Sequence, residues 1–395
     1  MTADEYGADL SAFLNEYLAR NATTSAPTVD QGRAFQRGLF EAGLAGPSWP
    51  AQYGGAGLPS ETQRVFDTVT AAYPVPVADL TLSLRVCGPA VMEFGDEEQK
   101  ARHLAATLRG DHVWCQLWSE PEAGSDLAGV RTSAAPTPDG GWLVRGQKVW
   151  TSGAHYADFG LLLCRTDPPA AKHSGLSMLI VDMRLPGVTV RPLRQMTGEE
   201  HFNEVFLDDV RLPAGSLLGR AGQGWQITTW MMSRERVSVG LGMRTANTLS
   251  WADVREVAER SGRASEPAVR HRLVELHIRQ RAAELLGARL SQEMERGVGN
   301  PLLGSAAKVV EAAVIRESAE LAVELLGNRA TAWSTGERDG TVAGAVLMCP
   351  GFAIGGGTDD IQLNTLGEHV LGLPREPRPD DPGRRSTTGR GAGQS

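Results

Sequence analysis

Two segments of this chain carry the residue types that a bound aromatic ligand would need. Residues 118–126 read Trp-Ser-Glu-Pro-Glu-Ala-Gly-Ser-Asp, and residues 148–153 read Lys-Val-Trp-Thr-Ser-Gly. A turn of small residues lets backbone N–H groups approach a phosphate closely, because no bulky side chain stands in the way. In the second segment Trp150 offers a flat face for stacking, and the hydroxyls of Thr151 and Ser152 can donate to a polar ring edge. Together the segments predict a site for a ligand with a phosphate and a planar ring.

The composition limits the classes of protein to consider. With 395 residues the chain is too long for one compact core, and it predicts two or three packed subdomains. The net charge is -8, from 39 basic and 47 acidic residues, and no basic stripe alternates with aromatic residues. A nucleic-acid partner is therefore excluded on electrostatic grounds. Only four of the basic residues are lysines, a bias typical of a GC-rich bacterial genome.

Several features predict a soluble cytoplasmic protein without a membrane span. The four cysteines lie far apart with no CxxC pair, so free thiols in a reducing compartment are expected. The N-terminus is acidic and lacks the basic start and apolar run of a signal peptide. The longest apolar run, residues 343–355, is interrupted by Pro350 and is too short to span a bilayer. The eight histidines are scattered without metal-ligand spacing, so no metal site is predicted.

The periodicity of apolar residues changes twice along the chain. Residues 1–112 have helical spacing interrupted by loops, residues 113–213 contain strand-like runs separated by glycine turns, and residues 214–374 return to helical spacing. The tail, residues 375–395, is rich in proline, arginine and glycine and is expected to be disordered. The predicted strands are residues 113–118, 141–146, 159–164, 176–181 and 204–207.

Two helices of the last region have clear end signals. Ser265 and Pro267 predict the N-terminus of one helix, as a cap and an early proline, and Gly297 can end it. The second helix is closed by Gly327 and Asn328. The expected architecture is therefore helices, then a sheet, then helices.

In combination, the motifs resemble those of the acyl-CoA dehydrogenase family. The strongest block is residues 115–133, supported by residues 148–153 and by residues 202–210, which read Phe-Asn-Glu-Val-Phe-Leu-Asp-Asp-Val. The resemblance implies an α+β fold with a helical N-terminal domain, a central β-barrel-like domain and a C-terminal four-helix bundle. It also implies FAD as cofactor and α,β-dehydrogenation of an acyl-CoA or acyl-carrier thioester to the trans-2-enoyl thioester.

The resemblance also assigns a cofactor site. Ser125 is implied to approach the substrate thioester as well as the flavin. Trp150 and Ser152 are implied to cover the flavin ring and to contact its hydride-accepting nitrogen. The implied flavin-binding residues are Gln116, Leu117, Ser119, Gly124, Ser125, Trp150, Ser152 and Thr358.

Other residues of these blocks have structural interpretations. Trp118 and Trp142 are expected to fill the core. Glu120 and Asp126 could form a carboxylate pair for acid/base catalysis, but they are expected to fix the turn as capping acceptors. Residues 346–352 are unusually apolar and either line an enlarged acyl pocket or form the end of a core helix.

Removing the α proton of a saturated thioester requires one positioned carboxylate. In many family members this base precedes a Gly-Thr pair near the C-terminus, and the matching position here is Gly356. A branch of the family carries its base on a helix of the C-terminal domain, where this chain reads Ser-Arg-Glu-Arg at residues 233–236. Glu235 is therefore the candidate base and Arg236 a candidate substrate-binding residue, while the alternative for this run is a solvated helix face. The rival bases, next to Thr358 in sequence, are Asp359 and Asp360.

The lost carboxylate at position 356 need not abolish catalysis. By the same resemblance, the backbone N–H of Gly356 binds the thioester carbonyl and acidifies the α carbon, in the manner of an oxyanion hole. The position of the base in the C-terminal domain implies branched, bulky or cyclic acyl groups, including sterol side chains.

The resemblance implies partners as well as a substrate. An electron-transfer flavoprotein or another acceptor is the implied redox partner, and the implied assembly is a homodimer or homotetramer, with a heterotetramer as an alternative. Two other functions remain open: a related flavin oxidase or hydroxylase that uses oxygen, and a non-catalytic partner subunit of a heteromeric dehydrogenase. Turnover in air without an added acceptor would favour the first, and an inert purified chain the second.

Overall fold

The computed structural model of the chain describes residues 1–21, 28–76, 78–168, 170, 172–240, 247–295, 301–332 and 338–375. Within those ranges, one group of helices precedes a mixed sheet and a second group follows it. The predicted order of helices, sheet and helices is confirmed. The tail after residue 375 and the helix end at Gly297 fall outside the described residues.

The first helical group packs around a core that it shares with the sheet. Three of its helices begin with a capping box, in which the cap side chain and the residue three positions later satisfy each other's backbone N–H groups. A π-helical turn, Ser83–Cys87, runs directly into the fourth helix. The helices are α1 Ala3–Arg20, α2 Val29–Glu41, α3 Thr62–Thr70, α4 Gly88–Phe94 and α5 Glu97–Leu108.

The eight strands form one sheet in the order β6-β7-β3-β2-β4-β5-β8, and β1 pairs with β4 in parallel. The end strands β6 and β8 do not pair with each other in the described sheet, so the barrel-like arrangement is not closed into a true barrel. The strands are β1 Trp114–Leu117, β2 Ser133–Pro136, β3 Trp142–Ser152, β4 Phe159–Arg165, β5 Leu176–Asp182, β6 Val188–Leu193, β7 Phe202–Leu212 and β8 Leu217–Leu218.

Strands β4 and β5 are buried on both faces, which explains their uninterrupted apolar sequences. On one face, Leu161 and Met178 join the core that includes residues of the N-terminal helices. On the other face, Leu162 and Leu179 join a second core made by the sheet itself. The sheet therefore lies between the helical groups and a core of its own.

The second helical group is organised around one central helix. α9 contacts each of the other five helices, so it is the common support of this part of the molecule. The helices are α6 Gly224–Gly240, α7 Trp251–Arg260, α8 Pro267–Glu295, α9 Pro301–Leu326, α10 Arg338–Ile354 and α11 Asp359–His369.

One stretch of the described chain, Thr341–His369, is apolar and long enough to cross a membrane by length and composition alone. It is not one continuous helix, because α10 ends at Ile354, α11 begins at Asp359, and three glycines lie between them. Only 17% of its most apolar window is buried in the chain. Packing within the described chain therefore does not account for the exposed apolar residues of this stretch.

One carboxyl group in α9 should make the stability of the protein depend on pH. Burial raises the pKa of Glu311 from 4.5 to about 7. Between these values the folded chain keeps a proton that the unfolded chain has released, so stability is full below pH 4.5 and is lost as the pH rises toward 7. We expect Glu311→Gln to remove this loss, making the variant more stable than the parent at pH 8 by up to about 3 kcal/mol.

Urea unfolding at pH 4 and pH 8 measures this difference. The control is Glu320→Gln on the same helix, where the carboxylate is exposed and pairs with Arg316 at the surface. Its effect should stay below about 1 kcal/mol at both pH values. Equal stabilities of the parent and the Glu311 variant at pH 8 would contradict the prediction.

Candidate functional site

A buried ion pair holds the two predicted cofactor segments together. Lys148 on β3 is fully buried, and its ammonium group donates to the backbone oxygens of Trp118 (2.9 Å) and Leu163 (2.8 Å) and to Oε1 of Glu120 (2.8 Å). All three ammonium protons are therefore used. Because Trp118 and Glu120 belong to the first segment and Lys148 opens the second, the pair fixes one segment against the other.

Glu120 also binds the backbone of the chain that follows the turn. Its carboxylate accepts the backbone N–H groups of Arg131 (2.7 Å) and Thr132 (2.9 Å). Burial alone would raise the pKa of Glu120, but the Lys148 ammonium and these donors lower it overall. Burial lowers the pKa of Lys148, and Glu120 offsets part of that change. The expected turn-fixing role of Glu120 is confirmed.

The tip of the turn opens to solvent. Gly124 and Ser125 are exposed, and a side chain at Gly124 would meet nothing within 4 Å, so a ligand can approach the backbone here. Ser119, at the base of the turn, accepts the backbone N–H of Val149 at 2.9 Å. The capping expectation is wrong for Asp126: its side chain caps no backbone group and instead pairs with Lys172 at the surface.

A β-bulge turns Trp150 out of the sheet. Between Lys148, opposite Val205, and Thr151, opposite Asn203, β3 has one residue more than β7. Trp150 lies in this bulge with φ 59°, a left-handed conformation that is rare for a bulky residue, and its side chain is 60% exposed. Strained backbone of this kind is concentrated at functional sites. The bulge therefore exposes one face of the Trp150 indole ring, although the pairing of the strands does not require this exposure.

Asn203, on the neighbouring strand β7, stabilises the bulge. This residue is fully buried, and its Nδ2 donates to the backbone oxygens of Thr151 (3.0 Å) and His201 (3.2 Å). The neighbouring Phe202 ring packs edge-to-face with Trp150, with ring centres 6.0 Å apart. These contacts hold the exposed indole in one orientation.

Three buried polar atoms in or beside these segments have no partner within the described chain. They are Nε2 of Gln116 on β1, Nε1 of Trp118 and Oγ1 of Thr151 on β3, and orphaned buried groups of this kind are costly unless a ligand or water satisfies them. β1 pairs only with β4, so its other edge offers backbone groups as well. Leu117 has its side chain in the core and can contribute only through its backbone, whereas Ser152 is half-buried. Orphaned donors beside an exposed indole fit the polar edge and the face of a flavin.

The helix α6 directs Glu235 into the interface with the N-terminal helices and the sheet. Ile227, Met231 and Glu235 are spaced by four residues, so they share one face of the helix. Ile227 and Met231 are fully buried in the core shared with β4 and β5. Glu235 is half-buried at the end of this face, which does not fit a fully solvated helix face. The side chain of Arg236 lies outside the described part of the structure.

The charge of Glu235 acts on the thiol of Cys87. Burial raises the pKa of the Cys87 thiol well above its usual value, and the nearby Cys115 and the charge of Glu235 raise it further. Cys87 ends the π-helical turn, and Ser83 of the same turn accepts the backbone N–H of Trp114 on β1 at 2.9 Å. α6 packs against this turn, so the helix of the candidate base lies beside a turn that is bonded to the strand carrying Gln116.

Gly356 lies in the turn between α10 and α11. It is half-buried with φ +66°, and a side chain placed there would meet nothing within 4 Å. Its carbonyl accepts Nε2 of Gln362 at 3.0 Å. Thr358 caps α11 by accepting the backbone N–H of Ile361 at 3.1 Å, which leaves its hydroxyl proton free to donate. This turn is linked to the base through α9, which packs against both α6 and α11.

The two rival bases have different surroundings. Asp359 forms an ion pair with Lys308 of α9, and Asp360 is exposed at the first turn of α11. The carboxylate of Asp359 is already engaged by the Lys308 ammonium group, and that of Asp360 faces solvent. The surroundings therefore favour Glu235 over both aspartates.

The apolar run of residues 346–352 is separate from this site. Val346, Cys349 and Pro350 line a groove of about 450 Å³ between α9 and α10. No residue of α6 or of the two cofactor segments lines the groove, and Val346 is 40% exposed. The run is therefore neither the end of a buried core helix nor a wall of the candidate site.

Both the order of domains and the site define the class of protein. The chain matches the N-terminal, middle and C-terminal domains of acyl-CoA dehydrogenase at residues 4–111, 115–210 and 222–371, and it belongs to the acyl-CoA dehydrogenase family. Members of this family are FAD-dependent flavoproteins, so the expected family, fold and cofactor are confirmed.

Three relatives show how far the similarity extends. The chain is 38% identical to acyl-CoA dehydrogenase FadE34 of Mycobacterium tuberculosis over 93% of its length, but spans only 50% of that protein. It is 35% identical to acyl-CoA dehydrogenase IpdE1 of Mycolicibacterium smegmatis, covering 88% of this chain and 89% of the relative. The solved structure titled Tcur3481-Tcur3483 steroid ACAD superimposes with a TM-score of 0.80 and 27% identity, over 95% of this chain and 98% of that one.

Sequence reasoning missed three residues that shape the site. Asn203, Cys87 and Lys308 gain their roles from partners that are 28 or more residues away in the chain or on another element. A signal existed only for Lys308, which is one of four lysines and lies in an otherwise apolar helical stretch. A lysine is almost never buried unless it is paired, so a lysine in an apolar helical stretch indicates a buried ion pair.

Proposed function

We propose that this chain catalyses the α,β-dehydrogenation of a saturated acyl-CoA thioester to the trans-2-enoyl thioester, with Glu235 as the base that removes the α proton. The observation that carries the proposal is the position of Glu235: it ends a buried face of α6, and α6 packs against the turn Ser83–Cys87, which is bonded to the strand of Gln116. A half-buried carboxylate next to the cofactor strands is suited to accept a proton from a substrate held there.

The other residues bind and orient. FAD, when bound, supplies the acceptor for the β hydride. Trp150 would cover one side of the flavin ring and exclude water from it, while Gln116 and Ser152 would donate to its polar edge. The turn at Gly124 and Ser125 gives a phosphate access to backbone N–H groups.

Gly356 acts on the substrate rather than on the cofactor. Its backbone N–H binds the thioester carbonyl, which stabilises the charge that develops as the α proton leaves. Arg236, beside the base in sequence, binds the acyl-CoA. Thr358 donates its hydroxyl proton to the cofactor from the N-cap of α11.

The substrate that we propose is a bulky acyl-CoA with a branched, cyclic or steroid-derived acyl group. Support comes from the position of the base on α6 and from the likeness to a solved steroid ACAD at a TM-score of 0.80. With the base on α6, position 356 carries no side chain. Space is therefore available where other family members have a carboxylate.

We further propose that the active form is an oligomer and that an electron-transfer flavoprotein accepts its electrons. On α8, Val274, Ile278 and Leu285 are more than half exposed, and Leu363 and Leu371 add to the apolar surface near the C-terminus. Exposed apolar side chains grouped on helices are typical of subunit contacts. A second chain of the same family is an equally suitable occupant of this surface.

Anaerobic reduction of the bound flavin tests the proposed function. The purified protein would be mixed with octanoyl-, isovaleryl-, cyclohexanecarbonyl- and steroid-side-chain acyl-CoA thioesters, and flavin bleaching and the enoyl product would be followed. We expect the bulky thioesters to bleach the flavin fastest and to give the trans-2-enoyl product. If no thioester bleaches the flavin, the proposal fails, and peroxide formed in air with a thioester would indicate an oxidase instead.

A further inference from the structure

A buried lysine joins the two helix ends that flank Gly356. Lys308 of α9 is only 4% exposed, and its ammonium group donates to the backbone oxygen of Ala353 at 3.0 Å and pairs with Asp359. Ala353 lies in the last turn of α10, and Asp359 is the first residue of α11. One side chain therefore connects both sides of the turn to the central helix.

The electrostatics of the two helix ends favour this connection. The C-terminus of α10 carries partial negative charge, which a cation stabilises, and the N-terminus of α11 carries partial positive charge, which Asp359 stabilises. Lys308 bonds directly to the C-terminus of α10, and it reaches the N-terminus of α11 through Asp359. Lys308 is buried and the Asp359 side chain is 27% exposed, so solvent screens both contacts only in part.

The turn itself needs such support. Three consecutive glycines, Gly355–Gly357, separate the helices, and Gly356 and Gly357 both have left-handed φ angles of +66° and +89°. Glycine has more backbone freedom to lose than any other residue, so an unsupported turn of this composition would sample many conformations. The contact from Gln362 to the Gly356 carbonyl restrains only one peptide group of the turn.

We propose that Lys308 is a positioning residue for catalysis: by bonding Ala353 and Asp359 it fixes the Gly356 N–H where the thioester carbonyl binds. This inference rests on the proposed function. Lys308 does not touch the substrate, and Asp359 serves as the partner of Lys308 rather than as a base. An N–H that moves by about 1 Å loses much of its effect on the carbonyl, which can slow the reaction about a hundredfold.

Infrared spectra and kinetics of Lys308→Met test this role. The ligand would be the enoyl-CoA product of the best panel thioester, labelled with carbon-13 at the thioester carbonyl. In the parent, binding should shift the carbonyl stretch to lower frequency. In Lys308→Met we expect a smaller shift and a flavin reduction rate about 10 to 100 times lower at saturating thioester, with the flavin content unchanged. Lys308→Arg should recover part of both.

Control variants separate positioning from general stability. Arg272→Met breaks the ion pair between α8 and α9 at Glu324 and should leave the rate and the carbonyl shift unchanged. Asp359→Asn keeps the bond from Lys308 to Ala353 and should reduce the rate and the carbonyl shift less than Lys308→Met does. If Lys308→Met does not fold, Asp359→Asn tests the positioning role in its place. The proposal is overturned if the folded, flavin-loaded Lys308 variant, or Asp359→Asn in its place, keeps the parent rate and shift. A parent flavin that no thioester reduces instead defeats the proposed function.

Discussion

Replacing Glu235 with glutamine should slow the reduction of the bound flavin by an acyl-CoA about a hundred- to ten-thousandfold, because a positioned general base contributes about 10²–10⁴ to such a step. Glutamine keeps the size of the side chain and cannot accept the proton. The flavin spectrum and the thermal stability should stay close to those of the parent, since Glu235 lies at the end of the buried face of α6 rather than within it. Anaerobic stopped-flow measurements of flavin bleaching give the rate.

Asp360→Asn is the matched control for this experiment. Asp360 is the exposed rival carboxylate at the start of α11, and its replacement should leave the rate within about twofold of the parent. A Glu235→Gln variant that bleaches as fast as the parent, together with a slow Asp360→Asn variant, would move the base to the other helix. Loss of exchange of the substrate α hydrogen with deuterated water in the Glu235 variant would show that proton removal is the step affected.

Lys148→Met should have the largest effect on the cofactor site as a whole. The substitution leaves Glu120 buried without its cation and frees the backbone oxygens of Trp118 and Leu163. Removing one partner of a buried pair typically costs about 3–5 kcal/mol. We expect a thermal midpoint lower by several degrees and a purified protein that has lost most of its flavin, because the two cofactor segments are no longer held together. Differential scanning fluorimetry and the visible spectrum measure both effects.

Lys172→Met provides the contrast within the same turn. It breaks the ion pair with Asp126, in which both side chains are more than half exposed, so the cost should be below about 1 kcal/mol. The flavin content should not change. If Lys148→Met were as stable and as yellow as Lys172→Met, the buried pair would not support the site.

The strands that could be predicted from the sequence are those buried on at least one face. β4 and β5 have uninterrupted apolar runs, and their bounds agree with the predicted ones to within one residue. β2, β6 and β8 were not predicted. β2 reads Ser-Ala-Ala-Pro, β6 is a partly exposed strand that contains Pro192, and β8 has two residues. Such strands form because a longer neighbour supplies their hydrogen bonds, and their own side chains carry little β preference.

The length of β3 was also underestimated, for a backbone reason. The sequence predicts a strand that ends at Gly146, before the segment that begins at Lys148, whereas the structure has one strand from Trp142 to Ser152. Gly146 lies at a register shift where β7 has one residue more than β3, and a side chain at position 146 would clash with Thr132. A glycine that reads as a strand end can thus lie inside a strand, where another segment approaches too closely for a Cβ atom.

Local residue patterns sufficed for the family, the succession of helices and sheet, the segments proposed to bind the flavin, and the absence of a carboxylate at position 356. These features depend on neighbours along the chain or on motifs whose residues stand close together. The packing of the Glu235 helix against the turn of Cys87, the bulge that turns Trp150 outward, and the link from Lys308 to both ends of the Gly356 turn arose only when distant elements packed. A buried charge or a strained residue is stable only with a particular partner, and which partner it meets is a property of the folded chain.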